Sequence, residues 1–478
     1  MTGGRYSLPP EIRKFILTEQ PTSLVVKGFP GCGKTIFSLE CISEFSNLYA
    51  GYYVSTRVDA RSLYAQFPWL RKHVPKINVI DATHGFFPKK IDIAHSLEYA
   101  SLPDFLKGLY LILKEGIQER KPMIVVDSIE ALLSVSKLPL DELCPTLIDF
   151  SKELNAKLLL VTENHGVTLA DYIVDGVIRF EKELVNGRLL RKMIIEKLRG
   201  IEVSNPIYYF TLNDGRFHYF EKFPFYDWIS AFQESHKPIL DGKGTEFEKL
   251  GKFSSGSPMF DKIFGGFKRG SLVLFEADTK IPPETVLTVT SVTPENFMTQ
   301  NRAVLMIPPG SLHPEYVVKL YQCFVGKSVV SRYFREFQFA DSAGARDNII
   351  VIREHKPLRA VRELINVIDE FIDICNNRTF LLYVSIDTLE SIYGKRGAMK
   401  ILSELAAKVQ MENSLCISLK FTNGDEMCEY RKIADMVIRI FSMNGVVFLY
   451  GVKPATPIYN VNIDLSLKHP RLVLMSIT

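Results

Sequence analysis

The chain has 478 residues, of which 46% are hydrophobic and 23% charged, with a formal net charge of +4. That length suits two or more domains, each with an ample core, and so small a net charge excludes a chain whose electrostatics alone announce a nucleic-acid partner. No apolar run reaches membrane-spanning length and residues 1–10 lack the apolar centre of a secretory signal, so a cytoplasmic protein without a membrane segment is expected.

The first element in the chain is Ser23-Leu24-Val25-Val26-Lys27, a short apolar run with strand character. Gly28-Phe29-Pro30-Gly31-Cys32-Gly33-Lys34-Thr35 follows at once and fits G-x-x-x-x-G-K-[ST] without a gap. Glycines at this spacing let backbone N–H groups turn inward around a triphosphate. Lys34 then reaches the β/γ oxygens, and the Thr35 hydroxyl ligates Mg²⁺. Residues 36–45, beginning at Ile36, have helical spacing and put a helix N-terminus under the phosphates. Residues 28–36 are therefore the candidate nucleotide-binding set, with ATP and Mg²⁺ as the expected ligands. The seven cysteines are scattered without a C-x-x-C, which suits reduced thiols, and Cys32 in the loop reads as a small filler.

From here β and α patterns alternate. Residues 51–56 read as a strand, 59–70 as a helix, 77–82 as a strand and 104–120 as a long helix with Phe105, Leu109, Ile112 and Leu113 on one face. Residues 121–128 form a buried strand ending in Asp127-Ser128, and 157–164 form another. Alternation of this kind implies a parallel sheet with helices on both faces and a ligand beyond the carboxyl ends of its strands. Asp127 at such an end is placed to hold Mg²⁺ through water. Asp175-Gly176-Val177-Ile178-Arg179-Phe180 then leads through Asn186-Gly187, a tight-hairpin signal, into residues 189–198, an antiparallel extension ending in Lys197-Leu198-Arg199-Gly200.

This order of strand, phosphate loop, acid-Ser strand end, Asp-Gly-Val-Ile, hairpin and K-x-R-G resembles the RecA-superfamily ATPases of the KaiC type. The stretch from Tyr53 to Leu70 (YVSTRVDARSLYAQFPWL), with Leu8-Pro9-Pro10-Glu11-Ile12-Arg13, is similar to the archaeal GvpD-like branch, named for a regulator of gas-vesicle production. The resemblance implies that Lys197 and Arg199 reach the γ-phosphate of a neighbouring subunit in a homo-oligomer, as in the hexamers common in that superfamily, while a tandem chain is also compatible with a monomer or a smaller ring. It also exposes a departure. KaiC-type proteins carry a Glu pair at the end of the second strand, one member of which activates water, and here Arg57-Val58 stands there. Arg57 is either a plain surface residue or a cation facing the nucleotide. Glu130, Glu163 and Asp59 are the remaining candidate carboxylates for the base beside Lys34. Since a general base contributes about 10²–10⁴-fold, slow hydrolysis with intact binding is expected.

The second half repeats the first. Asp127-Ser128-Ile129-Glu130 matches Asp387-Thr388-Leu389-Glu390, and Asp175-Gly176-Val177-Ile178-Arg179 matches Asp435-Met436-Val437-Ile438-Arg439, both at an offset of 260 (387 minus 127, 435 minus 175). Asn186-Gly187 matches Asn444-Gly445 at a slightly smaller offset, and residues 254–274 resemble the KaiC-type lead-in to the loop strand. No phosphate loop follows. Phe275-Glu276-Ala277-Asp278-Thr279-Lys280-Ile281-Pro282-Pro283 has no glycine, two prolines without N–H donors, and acids at Glu276 and Asp278 expected to repel a triphosphate. The K-x-R-G counterpart is reduced to Val452-Lys453-Pro454, and Asp387 reads as a structural or capping acid.

The expected architecture is thus α/β, with tandem RecA/KaiC-like domains of mostly parallel sheet flanked by helices. An ATP-binding domain spans 1–235, a polar linker 236–250 and a degenerate copy 251–478. An active domain beside a loop-less copy suits a slow, ATP-controlled switch on a protein partner such as a transcription regulator. The alternative is a RecA-like recombination ATPase. Against it, the stretch after the Asp127 strand, residues 131–140, carries one lysine, and residues 165–168 are too short for a DNA-gripping loop. An autokinase like the clock protein KaiC ranks lower still, because that activity lies in the second domain.

Overall fold

The computed structural model describes residues 7–20, 22–73, 79–83, 95–116, 120–136, 139–224, 250–313, 315–339, 348–424, 428–464 and 471–478. Its contacts divide the chain into one unit of Met1–Glu221 with Ile477–Thr478 and a second of Lys222–Ser476. The division thus falls earlier than the expected linker, of which residues 236–249 lie outside the described residues. Among the described residues no helix is long and apolar enough to cross a membrane.

The first unit is built on ten strands: β1 (Ser23–Gly28), β2 (Ala50–Ser55), β3 (Val79–Asp81), β4 (His95–Ser96), β5 (Pro122–Asp127), β6 (Lys157–Thr162), β7 (Gly176–Val185), β8 (Arg188–Leu198), β9 (Ile207–Thr211) and β10 (His218–Tyr219). Their order across the sheet is β10-β9-β8-β7-β1-β6-β5-β2-β3-β4. Every pair from β7 to β4 is parallel and the three pairs from β7 to β10 are antiparallel. Strands β1, β2 and β6 are buried along their whole length, as parallel strands covered on both faces must be. Side chains alternate between two cores. Leu24, Val26, Met123 and Val125 face one, packed with Phe15 of α1 (Pro10–Ile16) and with Phe37 and Cys41 of α2 (Lys34–Glu44). Val25, Ile124 and Val126 face the other, with Phe105, Leu109 and Leu113 of the helix Leu102–Gly116.

The helix expected over 59–70 ends early. It runs Ala60–Gln66, capped by Asp59, whose carboxylate accepts from the Ser62 N–H at 3.1 Å. Pro68 disfavours helical backbone in the residue before it, so a separate turn starts at Leu70. Residues 131–136, weighed as a DNA-gripping loop, instead belong to the helix Ile129–Ser136.

The second unit's larger sheet has the same plan. It contains β13 (Ser271–Asp278), β14 (Ala303–Ile307), β15 (Phe334–Phe339), β16 (Ile349–Ile352), β17 (Phe380–Ser385), β18 (Leu415–Thr422), β19 (Met436–Met443), β20 (Val446–Lys453), β21 (Tyr459–Asp464) and β22 (Arg471–Ser476), preceded by the small hairpin β11 (Lys252–Phe253) and β12 (Phe267–Lys268). The order is β16-β15-β14-β17-β18-β13-β19-β20-β21-β22, which is the first sheet strand for strand. Register fixes the equivalence: Leu24 lies opposite Gly176 and Val273 opposite Met436. In both hairpins the Asn-Gly turn has positive φ at both residues, 50° and 73° at Asn186 and Gly187 and 50° and 80° at Asn444 and Gly445, as the right-handed twist of paired strands requires.

Candidate nucleotide site

The phosphate loop joins the carboxyl end of β1 to α2. At Gly28 a Cβ would lie 2.6 Å from the Phe180 carbonyl oxygen and 2.8 Å from Cys32 Sγ, so only glycine fits. Gly33 precedes α2 with a φ of 110° and offers no side-chain cap, leaving the first-turn N–H groups free of a capping side chain. Lys34 is buried, and its Nζ donates to the carbonyls of Gly28 at 2.5 Å and Phe29 at 3.1 Å. From the neighbouring hairpin, Lys182 donates to the Pro30 carbonyl at 3.2 Å and Arg191 to that of Gly31 at 3.0 Å. Burial pushes the Cys32 thiol up against the opposing effect of Lys34, consistent with a filler. The Phe29 ring, largely exposed, lies against the His165 ring at a centroid distance of 3.3 Å, tilted by 36°.

Asp127 meets this loop directly. Its Oδ2 accepts from the Thr35 hydroxyl at 2.6 Å and from the Tyr53 hydroxyl at 2.5 Å. Burial raises the Asp127 carboxyl, while the Thr35 and Tyr53 donors oppose that rise. Tyr53, fully buried on β2, is itself pushed well up by burial and by the Asp127 charge, so it remains a donor. Sequence reasoning missed Tyr53, because a tyrosine in an apolar strand reads as a β-former.

A cavity of about 320 Å³ opens beside these groups, lined among others by Lys34, Thr35, Ile36, Arg57, Asp127 and Glu163. Arg57 and Glu163 are ion-paired. Glu130 is not among the lining residues. Its Oε1 accepts from the Thr162 hydroxyl and from the Glu163 N–H, both at 2.6 Å. Burial acts to raise its carboxyl, but hydrogen bonds from Thr162 and the Glu163 backbone help carry it below the ordinary value. Asp59 is spent on capping its helix.

Lys197 and Arg199 stand elsewhere. Leu198 lies opposite Gly176, which lies opposite Leu24 near the start of β1. The phosphate loop begins at Gly28, four residues and roughly 13 Å further along that strand. Lys197 Nζ donates to the carbonyls of Asp171, Tyr172 and Val174 at 2.8, 3.1 and 2.6 Å. Arg199, half exposed, donates to the Tyr172 carbonyl at 2.8 Å.

The second unit shows which of these contacts survive without a loop. Lys27, paired with Asp171 at 3.2 Å and Glu196 at 2.6 Å, is replaced at the same register position by Glu276. Glu276 is fully buried and bound through both oxygens by Arg431, at 2.6 and 2.5 Å. The charges are exchanged and the pair is kept. This corrects the expectation that Glu276 repels a triphosphate, since its charge is neutralised within the sheet. Asp387 accepts from Lys420 at 2.7 Å and from the Phe421 N–H at 2.8 Å, so it is a structural acid. Glu390, the counterpart of Glu130, is held by Lys420 and the Tyr430 hydroxyl, both at 2.8 Å. Lys453, the counterpart of Lys197, grips the Ala434 carbonyl at 2.7 Å as Lys197 grips Val174.

Residues 12–196 match the family model described as "GvpD gas vesicle protein, P-loop domain". The chain is 25% identical to the protein GvpD2 of Halobacterium salinarum over 98% of its own length and 96% of that protein. It is 23% identical to GvpD1 of the same organism over 98% and 97%. A UPF0273 protein of Aeropyrum pernix is 25% identical over 40% of this chain and 82% of its own. Residues 12–196 are thus similar to a P-loop domain of the GvpD type, and the chain is similar to GvpD proteins along nearly its whole length.

Proposed function

We propose that the chain is a Mg²⁺–ATP-dependent switch with weak ATPase activity that acts on a protein partner in transcription or signalling. The observation that carries this reading is the contact of Thr35 with Asp127 at the mouth of an intact phosphate loop, inside one cavity. The residues fit the ligand: glycines that admit it, a lysine with exchangeable backbone partners, and a hydroxyl and carboxylate already side by side. Thr35 and Asp127 would hold the metal, Asp127 through water, while Lys34 exchanges the carbonyls of Gly28 and Phe29 for phosphate oxygens. Mg²⁺–ATP, when bound, supplies a phosphoanhydride open to water. Tyr53 keeps the Asp127 carboxylate oriented from below. Of the candidate bases, Glu163 is the carboxylate at the cavity, where a proton from water would be held. Glu130 braces the end of β6 instead, as Glu390 does in the unit without a loop. Arg199 would act on a neighbouring chain, with Lys197 fixing the end of the strand that carries it.

Lys34→Ala and Asp127→Asn separate these roles. Lys34→Ala should weaken ATP binding at least tenfold with or without metal. Asp127→Asn should weaken it in Mg²⁺ and leave it within about twofold in EDTA. Titration calorimetry under both conditions reads the difference, and equal damage to both variants in EDTA would contradict the assignment.

A further inference from the structure

We propose that Arg57 reads the terminal phosphate of a nucleoside triphosphate, and that Glu163 is the counter-ion it leaves to do so. The inference rests on the nucleotide reading above and names the residue that gives that site its preference for a triphosphate over a diphosphate.

Placement carries the first step. Arg57 follows the last residue of β2 by two positions and Glu163 follows the last of β6 by one. These strands flank β5, whose final residue is Asp127. The two side chains therefore rise on either side of Asp127, both line the cavity, and they are joined as an ion pair. Arg57 is 49% exposed and Glu163 29%. An ion pair so open to solvent is held weakly. A phosphate group is a stronger partner for a guanidinium, because its oxygens accept two parallel N–H bonds and its charge is larger.

The second unit supplies an internal control. Register places Thr162 beside Lys27 and Lys420 beside Glu276, so the position after each makes Phe421 the counterpart of Glu163. The unit that lacks the loop keeps the counterpart of Glu130, as Glu390, and keeps the grip of Lys197, as Lys453. It has a phenylalanine where Glu163 stands. An acid that served only to brace the sheet would have no reason to vanish with the phosphate loop while its neighbour stayed.

A diphosphate offers nothing at the position Arg57 would reach, so Arg57 stays with Glu163. A triphosphate draws Arg57 away, and Glu163 is left as an unpaired carboxylate at the reacting end of the cavity. One exchange of partners therefore both registers the third phosphate and withholds the base until it is present.

The test is titration calorimetry on the full chain in Mg²⁺, with ADP and with a non-hydrolysable ATP analogue. The wild type should prefer the analogue. Arg57→Gln should weaken the analogue about tenfold or more and ADP by less than about twofold, which removes the preference. Arg57→Lys, which keeps the charge and loses the fork, should retain part of it. Glu163→Gln should tighten the analogue several-fold and leave ADP unchanged, a gain that loss of a merely structural residue does not produce. Lys34→Ala should weaken both ligands. If Arg57→Gln shifts both alike or neither, or if Glu163→Gln weakens the analogue, the latch is overturned while the nucleotide reading stands. If the wild type binds neither ligand, the nucleotide reading falls and the latch with it.

Discussion

Asp127 and Glu295 are both carboxyls raised by burial, yet their surroundings give them opposite consequences. Asp127 has two hydroxyl donors on one oxygen and faces the cavity. Glu295, in the helix Val292–Thr299, has a buried Oε1 without a hydrogen-bond partner among the described residues, and burial pushes its carboxyl up to about 8 against a weaker bond from Ser291. Unfolded, the group ionises near its ordinary 4.5. Below that pH it is protonated in both states and costs nothing. As pH rises from about 4.5 to about 8 the unfolded chain releases the proton first, so stability falls through that window and the loss is complete above it. Glu295→Gln should therefore raise the melting temperature at about pH 8.5 and make little difference near pH 5, as followed by circular dichroism. Parallel melting-temperature profiles for the two proteins would show that Glu295 is not the group responsible. At this scale the sequence made the phosphate loop and Asp127 legible because their chemistry demands fixed residue types at fixed spacing. It hid Tyr53 in an ordinary strand pattern. It also hid the Arg57–Glu163 pair, whose members are 106 positions apart and meet only when β2 and β6 flank β5.

Among the elements, the β7–β8 hairpin bears most directly on mechanism. Its Asn-Gly turn was readable because two successive positive φ values favour those residues. Its far end was readable only by resemblance, and the structure adds that Lys197 and Arg199 are anchored to the carbonyls of residues 171–174 at the amino end of β1. An arginine finger can be worth about 10³–10⁵ in rate. Under the proposed function Arg199, which lies at the amino end of β1 and away from its own loop, would serve a neighbouring chain. Arg199→Ala should cut turnover by at least tenfold while ATP affinity stays within a few-fold, and turnover of the wild type should rise with protein concentration. Mixing Arg199→Ala with Lys34→Ala chains should restore part of the activity, since each supplies what the other lacks. High turnover that is flat with concentration, with no recovery on mixing, would place the whole reaction inside one chain. The helix expected over 59–70 was misjudged for a local reason: its apolar spacing continues past Phe67, but Pro68 forbids the backbone to follow.

At the level of the whole molecule, the duplication was legible from three ordered matches, and the two sheets agree strand for strand. What the sequence could not reveal was the exchange of Lys27–Asp171 for Glu276–Arg431. It takes the paired register of two sheets to show that four scattered charges occupy two equivalent places. That exchange sharpens the central claim, which is that one unit binds nucleotide and the other keeps the scaffold alone. In the second unit Ala277 stands at the register position of Gly28, a proline opens the helix that follows, and the acid corresponding to Asp127 is occupied by Lys420. Titration of the full chain with a non-hydrolysable ATP analogue and Mg²⁺ tests this most directly. A stoichiometry near one per chain, abolished by Lys34→Ala, is the result expected. A stoichiometry near two, or one site that survives Lys34→Ala, would contradict it.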